Sequence, residues 1–259
     1  MNQTSEILRK LGNLPQLLTY KLHRNYLHTN LQDIIVNEYP RSGGTWIAKL
    51  ISTSTRINKL TPFSLKRSVL HEHLIDSSNA KQIYVLRDPR DVIISNYFHC
   101  FFTNEMNNAG RVIKMKEEFS FDNYDNVKDN LKQFISRMLT KPFAPPLLLQ
   151  DFIDAALSNP NGLVIRYEDM KLTPLETMRQ IVDFYEIDLS DETLTSAIEQ
   201  HDISHHATGR RDRHIRKGII GDWKNHFNAD SAQAFNNLAG RHLIKLGYEE
   251  DESWLNQIE

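Results

Sequence analysis

Residues 33–51 read Asp33-Ile34-Ile35-Val36-Asn37-Glu38-Tyr39-Pro40-Arg41-Ser42-Gly43-Gly44-Thr45-Trp46-Ile47-Ala48-Lys49-Leu50-Ile51. The first seven form a short, β-branched apolar run, the pattern of a buried strand. Pro40 breaks it, Ser42-Gly43-Gly44 forms a tight loop, and Trp46 to Ile51 opens a helix. A strand that passes through a glycine loop into a helix aims main-chain N–H groups and the positive end of the helix dipole at one spot. That spot suits a phosphate. Ser42 and Thr45 can add hydroxyl donors and Arg41 a fixed charge. An ordinary strand-to-helix turn has the same spacing, so the loop alone leaves both readings open.

The pattern recurs downstream. Gln82–Leu86 is a second strand run, ended by Asp88-Pro89, and a helix is expected from Arg90 to about Phe101. Gly162–Tyr167 is a third strand. Thr173, Pro174 and Glu176 carry the N-cap, first-turn proline and capping-box signals of a helix with Leu175, Met178, Ile181, Val182 and Tyr185 on its apolar stripe. Residues 123–140 and 146–158 also read as helical. A further helix follows Asp230 and stops at Gly247. Short strands alternating with helices predict an α/β fold: a central, mainly parallel sheet with helices on both faces. No linker divides the chain, so one domain is expected over 1–259, with residues 1–30 a helical extension packed on it through Leu14, Leu17, Leu18 and Leu22.

Composition agrees with a globular protein. The 259 residues carry 31 Lys+Arg and 33 Asp+Glu, 31 − 33 = −2, with 40% apolar and 25% charged residues. A balance this near neutral does not point to nucleic acid as a partner. Cys100 stands alone, which excludes an internal disulfide and suits a reducing compartment. No run is long and apolar enough to span a bilayer, and the N-terminus lacks the apolar core of a signal peptide, so a cytoplasmic location is expected.

The loop departs from the nucleotide triphosphatase pattern G-x-x-x-x-G-K-[ST]. The Lys that reaches outer phosphates and the hydroxyl that holds Mg²⁺ there are both missing. It resembles instead the 5′-phosphosulfate loop of the sulfotransferase family. Tyr39-Pro40-Arg41-Ser42-Gly43-Gly44-Thr45-Trp46 stands against that family's Y-P-K-S-G-T-T-W. Arg87-Asp88-Pro89-Arg90-Asp91-Val92-Ile93-Ile94-Ser95 resembles its 3′-phosphate motif, R-[ND]-P-[KR]-D-V-x-x-S. Tyr167-Glu168-Asp169-Met170-Lys171 is similar to Y-E-D-[ML]-K, and residues 216–225 to R-K-G-x-x-G-D-W-K-N. Four motifs in the right order span residues 39–225.

The resemblance implies an α/β domain related to P-loop kinases and the cofactor 3′-phosphoadenosine 5′-phosphosulfate (PAPS), with no metal. It implies that Arg41, Ser42, Gly43, Gly44 and Thr45 hold the phosphosulfate. Arg87, Ser95, Arg216, Lys217 and Gly218 would hold the 3′-phosphate, and Trp46 and Tyr167 the adenine. Arg41 stands where the family has Lys; it can stabilise a departing phosphate but cannot give up a proton. Gly44 stands where Thr is usual.

His71-Glu72-His73-Leu74 resembles the family's K-T-H-L and puts the general base on His73, with His71 in the place of the Lys. If residues 69–74 are extended, His71 and His73 share a face and Glu72 points away. A pair of surface histidines fits the residues as well, and Glu72 or His71 remain other candidates for the base. No further Cys/His/Asp set has the spacing of a metal site. His201, His205 and His206 read as a solvated loop.

The implied reaction is transfer of a sulfuryl group to an acceptor hydroxyl or amine. A small-molecule kinase on the same scaffold and a catalytically silent nucleotide-binding module are the competing readings. Segments 99–125 and 140–150, with Phe98, Phe101, Phe102, Phe119, Phe121 and Phe143, suggest an apolar acceptor such as a lipid-like alcohol, phenol or sugar ring, although core packing explains them equally well. The family's dimer motif, K-x-x-x-T-V-x-x-x-E, would fall on Lys224 to Gln233, where Asn228, Ala229 and Gln233 break it.

Overall fold

The computed structural model describes residues 33–58, 67–75, 80–102, 109–142, 147–201 and 218–258. The N-terminal segment, Phe143, His205, His206, Arg216 and Lys217 lie outside them. In chain order the elements are β1 (Ile34–Glu38), α1 (Gly44–Thr55), β2 (Val69–Glu72), β3 (Gln82–Leu86), α2 (Pro89–Phe101), α3 (Ala109–Phe119), α4 (Val127–Thr140), α5 (Leu149–Ser158), β4 (Gly162–Arg166), α6 (Tyr167–Leu172), α7 (Pro174–Phe184), α8 (Asp191–Gln200) and α9 (Ala229–Lys245). Short 3₁₀ turns cover Asp222–Asn225 and Glu252–Gln257.

Among the described residues the strands form one parallel sheet in the order β2-β1-β3-β4. Alternation along β3 explains its two covered faces. Ile83 and Val85 pack with Ile34 and Val36 of β1 against α1 and α7, through Ile47, Ile51, Met178 and Ile181. Tyr84 and Leu86 face the opposite cluster, built on α2, α4, α5 and α9. Each fully buried aliphatic side chain contributes about 1.5–3 kcal/mol.

The chain leaves β1, visits β2 on one side and returns to β3 on the other. The carboxyl end of β1 is therefore the point where the strand order reverses, the place where open α/β sheets leave a crevice.

Several local expectations change. Thr173 precedes α7 and Pro174 begins it, but the capping box does not form. α6 ends at Leu172, and the Thr173 hydroxyl donates back to Asp169 O at 3.2 Å, closing the earlier helix instead. A capping box appears at α9, where Asn228 accepts from Ser231 N and the Ser231 hydroxyl accepts from Asn228 N. The aromatic run reads mainly as core: Phe101 and Phe119 are buried with Tyr97 and Phe134, while Phe98, Phe102 and Phe121 are only partly buried against them.

Candidate active site

The loop after β1 is shaped by left-handed backbone at Arg41 (φ 79°) and Gly43 (φ 105°). At position 43 a side chain is excluded twice over. The backbone angle disfavours one, and a Cβ would lie 2.5 Å from the Tyr167 ring. Gly43 then caps α1 with no side-chain hydrogen bond, and the first turn of α1 contains no acid. Such a helix start keeps its positive end available to an anion. Ser42 is buried, and its N–H donates to Tyr39 O at 3.1 Å. The N–H of Gly44 donates to the Glu38 carboxylate, Oε2, at 2.7 Å.

Around this loop the expected cofactor residues converge. Arg41 Nε donates to Ser95 Oγ at 3.1 Å, joining the loop to α2. Arg87 donates to Ile219 O at 2.9 Å, contacts Asp91 at 3.4 Å, and lays its guanidinium 4.5 Å from the centre of the Tyr167 ring. Asp91 accepts the N–H groups of Gly221 (2.8 Å) and Trp223 (2.9 Å), fixing the segment after Gly218 against α2. Burial raises the Asp91 carboxyl above its usual range, against the pull of Arg87 and these amides. Tyr167 OH donates to Gly218 O at 3.4 Å, and its ring meets Trp46 edge-on at 6.0 Å.

The Trp46 indole N–H donates to His201 O at 3.0 Å, and His201 Nε2 meets Thr53 Oγ1 at 2.7 Å. His201 is thus fastened to α1, not part of a solvated loop. Trp46, Arg87 and Gly218 are linked through Tyr167, and Arg41 and Ser95 form a second pair between the loop and α2. Of the cofactor residues expected from sequence, Arg216 and Lys217 lie outside the described residues.

The histidines come next to the loop through sheet register. Val36 pairs with His71 and Asn37 with Glu72, which puts His71 on the α1 face with Ile34, Val36 and Glu38, and Glu72 on the other. Beyond the strand end, Asn37 exchanges two hydrogen bonds with Leu74, Nδ2 to Leu74 O at 2.6 Å and Leu74 N to Oδ1 at 3.0 Å, which anchors residue 73 between them. His73 Nδ1 donates to the Glu38 main-chain oxygen at 2.9 Å, and His71 Nε2 donates to Glu38 Oε1 at 2.8 Å. The two rings meet edge-on, 4.8 Å apart. Buried Glu72 faces away from this cluster.

Glu38 is the residue that the motif reading missed. Its one sequence signal is an acid closing an apolar strand four positions before Ser42. Burial would raise its carboxyl, but the hydrogen bond from His71, the nearness of His71 and His73, and the Gly44 N–H hold it below the ordinary carboxylate value. Glu38, His71 and His73 could each turn one ligand atom to a metal ion, those atoms lying within 4.8 Å of one another. His71 Nε2 and Glu38 Oε1 are hydrogen-bonded to each other at 2.8 Å.

Residues 65–247 match the family described as "Sulfotransferase domain". The chain belongs to this sulfotransferase family. The matched range takes in Arg87, Ser95, Tyr167 and Gly218 and begins downstream of the glycine loop. Sulfotransferase 2A2 and sulfotransferase 2A1 of Mus musculus are each 27% identical to the chain over 83% of its length and 85% of theirs. Sulfotransferase 6B1 of Danio rerio is 23% identical over 82% of the chain and 78% of its own length. Among solved structures, mouse sulfotransferase SULT7A1 complexed with PAP aligns with a TM-score of 0.62 at 20% identity, covering 86% of this chain and 90% of that one. Retinol dehydratase, complexed with retinol and PAP, aligns at 0.53 and 16% identity over 82% and 81%. At those identities the likeness carries the fold, an α/β P-loop-like sulfotransferase fold.

Proposed function

We propose that this sulfotransferase-family chain moves a sulfuryl group from PAPS to an acceptor hydroxyl or amine. The cofactor would supply the sulfuryl group already activated on phosphate. Ser42, the N–H groups of Gly43 and Thr45 and the guanidinium of Arg41 bind the 5′ end. Arg87 and Ser95, with Arg216, Lys217 and Gly218, bind the 3′-phosphate, and Trp46 and Tyr167 flank the adenine. The start of α1, where Gly43 makes no side-chain cap and Glu38 takes the Gly44 N–H, leaves the N–H groups of Gly43 and Thr45 to fit an anion, and the Arg87–Tyr167–Gly218 contacts supply charge and a flat aromatic wall beside it.

The acceptor oxygen attacks sulfur in line while the sulfur–oxygen bond to the 5′-phosphate breaks. The bonding pair stays on the phosphate, stabilised by Arg41 and the helix start, and adenosine 3′,5′-bisphosphate leaves. His73 takes the acceptor proton. The observation that carries this assignment is the hydrogen bond of His73 Nδ1. A carbonyl oxygen only accepts, so Nδ1 bears a proton, and in the neutral ring Nε2 then keeps a lone pair for the acceptor. Charge compensation comes from the chain itself, so no metal is required.

The acceptor is proposed to be a small apolar or ring-bearing molecule, bordered by partly buried Phe98 and Phe102. A cytoplasmic location is proposed on the single cysteine, whose buried thiol is pushed up to about 12. Among the described residues no helix is long and apolar enough to cross a membrane.

Calorimetric titration with adenosine 3′,5′-bisphosphate, followed by single-turnover assays with labelled PAPS over a panel of alcohols, phenols, sugars and amines, tests the reading. Absence of both binding and transfer refutes it. Tight binding without transfer favours the silent nucleotide-binding module, which the departures at Arg41 and His71 from the family's Lys support.

A further inference from the structure

Glu38 ends β1 directly under the glycine loop, and no motif comparison gives it a task. Both of its carboxylate oxygens are engaged, Oε2 by Gly44 N–H and Oε1 by His71 Nε2, while its main-chain oxygen receives His73 Nδ1. One residue therefore touches the anion loop and both histidines. Its fit to the loop is mutual. A Cβ at position 44 would lie 2.8 Å from Glu38 Cδ, so the acid fills the room that a side chain at 44 would need.

The direction of the hydrogen bonds follows from chemistry. A carboxylate accepts only, so His71 carries a proton on Nε2; the carbonyl accepts only, so His73 carries one on Nδ1. Glu38 thus fixes opposite ring nitrogens of two histidines that pack edge to face.

We propose that Glu38 is a positioning residue for the transfer step: its side chain withdraws the Gly44 N–H from the anion-binding set and locks His71 against His73, so that His73 Nε2 is presented beside the loop. This rests on the sulfotransfer reading above. The loop loses one N–H donor and gains a rigid link to the base. Binding of the nucleotide then depends on Arg41, Gly43 and Thr45, and the rate depends in addition on Glu38.

Glu38→Gln in the full chain tests it. Gln is close in size, and its carbonyl can keep the Gly44 N–H. Its NH₂ must then face His71, which can only accept at Nε2. Histidine-resolved ¹H–¹⁵N spectra of the nucleotide-free protein should show the His71 proton moved to Nδ1, with His73 unchanged. Turnover should fall roughly ten- to hundredfold, the scale of a small misplacement, while bisphosphate affinity stays within about threefold. An unmoved His71 proton, or a kcat within about twofold of wild type, overturns the proposal.

Should Glu38→Gln not fold, His71→Gln attacks the same pair from its more exposed side. It must lower kcat similarly with affinity kept, and an unchanged kcat overturns the proposal there too. The underlying reading fails separately. Wild-type protein that neither binds the bisphosphate nor transfers sinks that reading and any part in transfer with it. The spectra still decide whether Glu38 sets the histidine pair.

Discussion

Arg87 lies over the ring of Tyr167, its guanidinium 4.5 Å from the ring centre. The two come from different strand ends, Arg87 just after β3 and Tyr167 just after β4, and these strands are paired from Gln82 to Leu86. Pairing fixes the distance between the strand ends, so the cation is held without help from a long loop. The side chain is mostly buried and also donates to Ile219 O, which commits it to one orientation.

A preset guanidinium should read the 3′-phosphate. Arg87→Ala should weaken adenosine 3′,5′-bisphosphate binding by about 1.5–3 kcal/mol, the range for a charge-assisted hydrogen bond. Adenosine 5′-phosphate should lose much less. Titration of both nucleotides against the variant is the check, and equal losses would show that Arg87 reads some other part of the ligand. Arg216→Ala should behave in the same way.

His73→Ala should lower turnover by about 10²–10⁴-fold, the usual worth of a general base, and leave bisphosphate affinity nearly unchanged. Glu72 sits on the opposite sheet face, so Glu72→Gln should retain most of the rate of the folded enzyme. Single-turnover sulfation with the fold verified by circular dichroism compares the two. Normal rates in His73→Ala would reassign the base.

Gly44→Ala should destabilise the fold by about 1–3 kcal/mol, because the new methyl meets Glu38 Cδ at 2.8 Å in a well-packed site. Truncating the acid to Ala removes Cδ and Cγ and leaves only the Glu38 Cβ, 3.1 Å from the new methyl. The double variant Glu38→Ala/Gly44→Ala should therefore be more stable than the sum of the two single losses predicts. Urea denaturation of the four proteins gives the coupling, and simple additivity would mean that the two side chains do not compete for one volume.

Stability should also depend on pH through Glu38. Its folded-state carboxyl is held below the unfolded value of about 4.5. Its contribution is then fully present above that value and is lost as the pH falls through the lower, folded value. Between neutral pH and the acid limb, wild type should lose more stability than Glu38→Gln, which has no proton to take up. Denaturation midpoints at a series of pH values measure the difference, and parallel curves would contradict the assignment.

Much of this architecture is legible in the residues. Val36 and Val85, β-branched and bounded by Pro40 and Pro89, mark strands because proline cannot continue the ladder and apolar runs that short must be buried on both faces. Gly43 marks the loop because its φ and the Tyr167 ring leave no room for a side chain. The helix Ala109–Phe119 is held by Val112, Met115 and Phe119, which pack into the core from one face. Glu38 could not be read ahead of the structure. A lone acid in a strand acquires meaning only when register places His71 beside it and when the loop turns Gly44 N–H back toward it. The contact of His201 with Thr53 depends in the same way on how α8 is laid against α1.

The hold of Asp91 on the main chain of Gly221 and Trp223 has a consequence for synthesis. Those partners are 130 and 132 residues apart in sequence. On the ribosome, β1, α1 and α2 emerge early, with Asp91 facing a gap where two amides belong. Until Trp223 has left the exit tunnel, that carboxylate has no main-chain donors and Arg87 lacks the carbonyl of Ile219. The nascent chain is thus an unfinished clasp until the segment carrying Gly221 and Trp223 emerges.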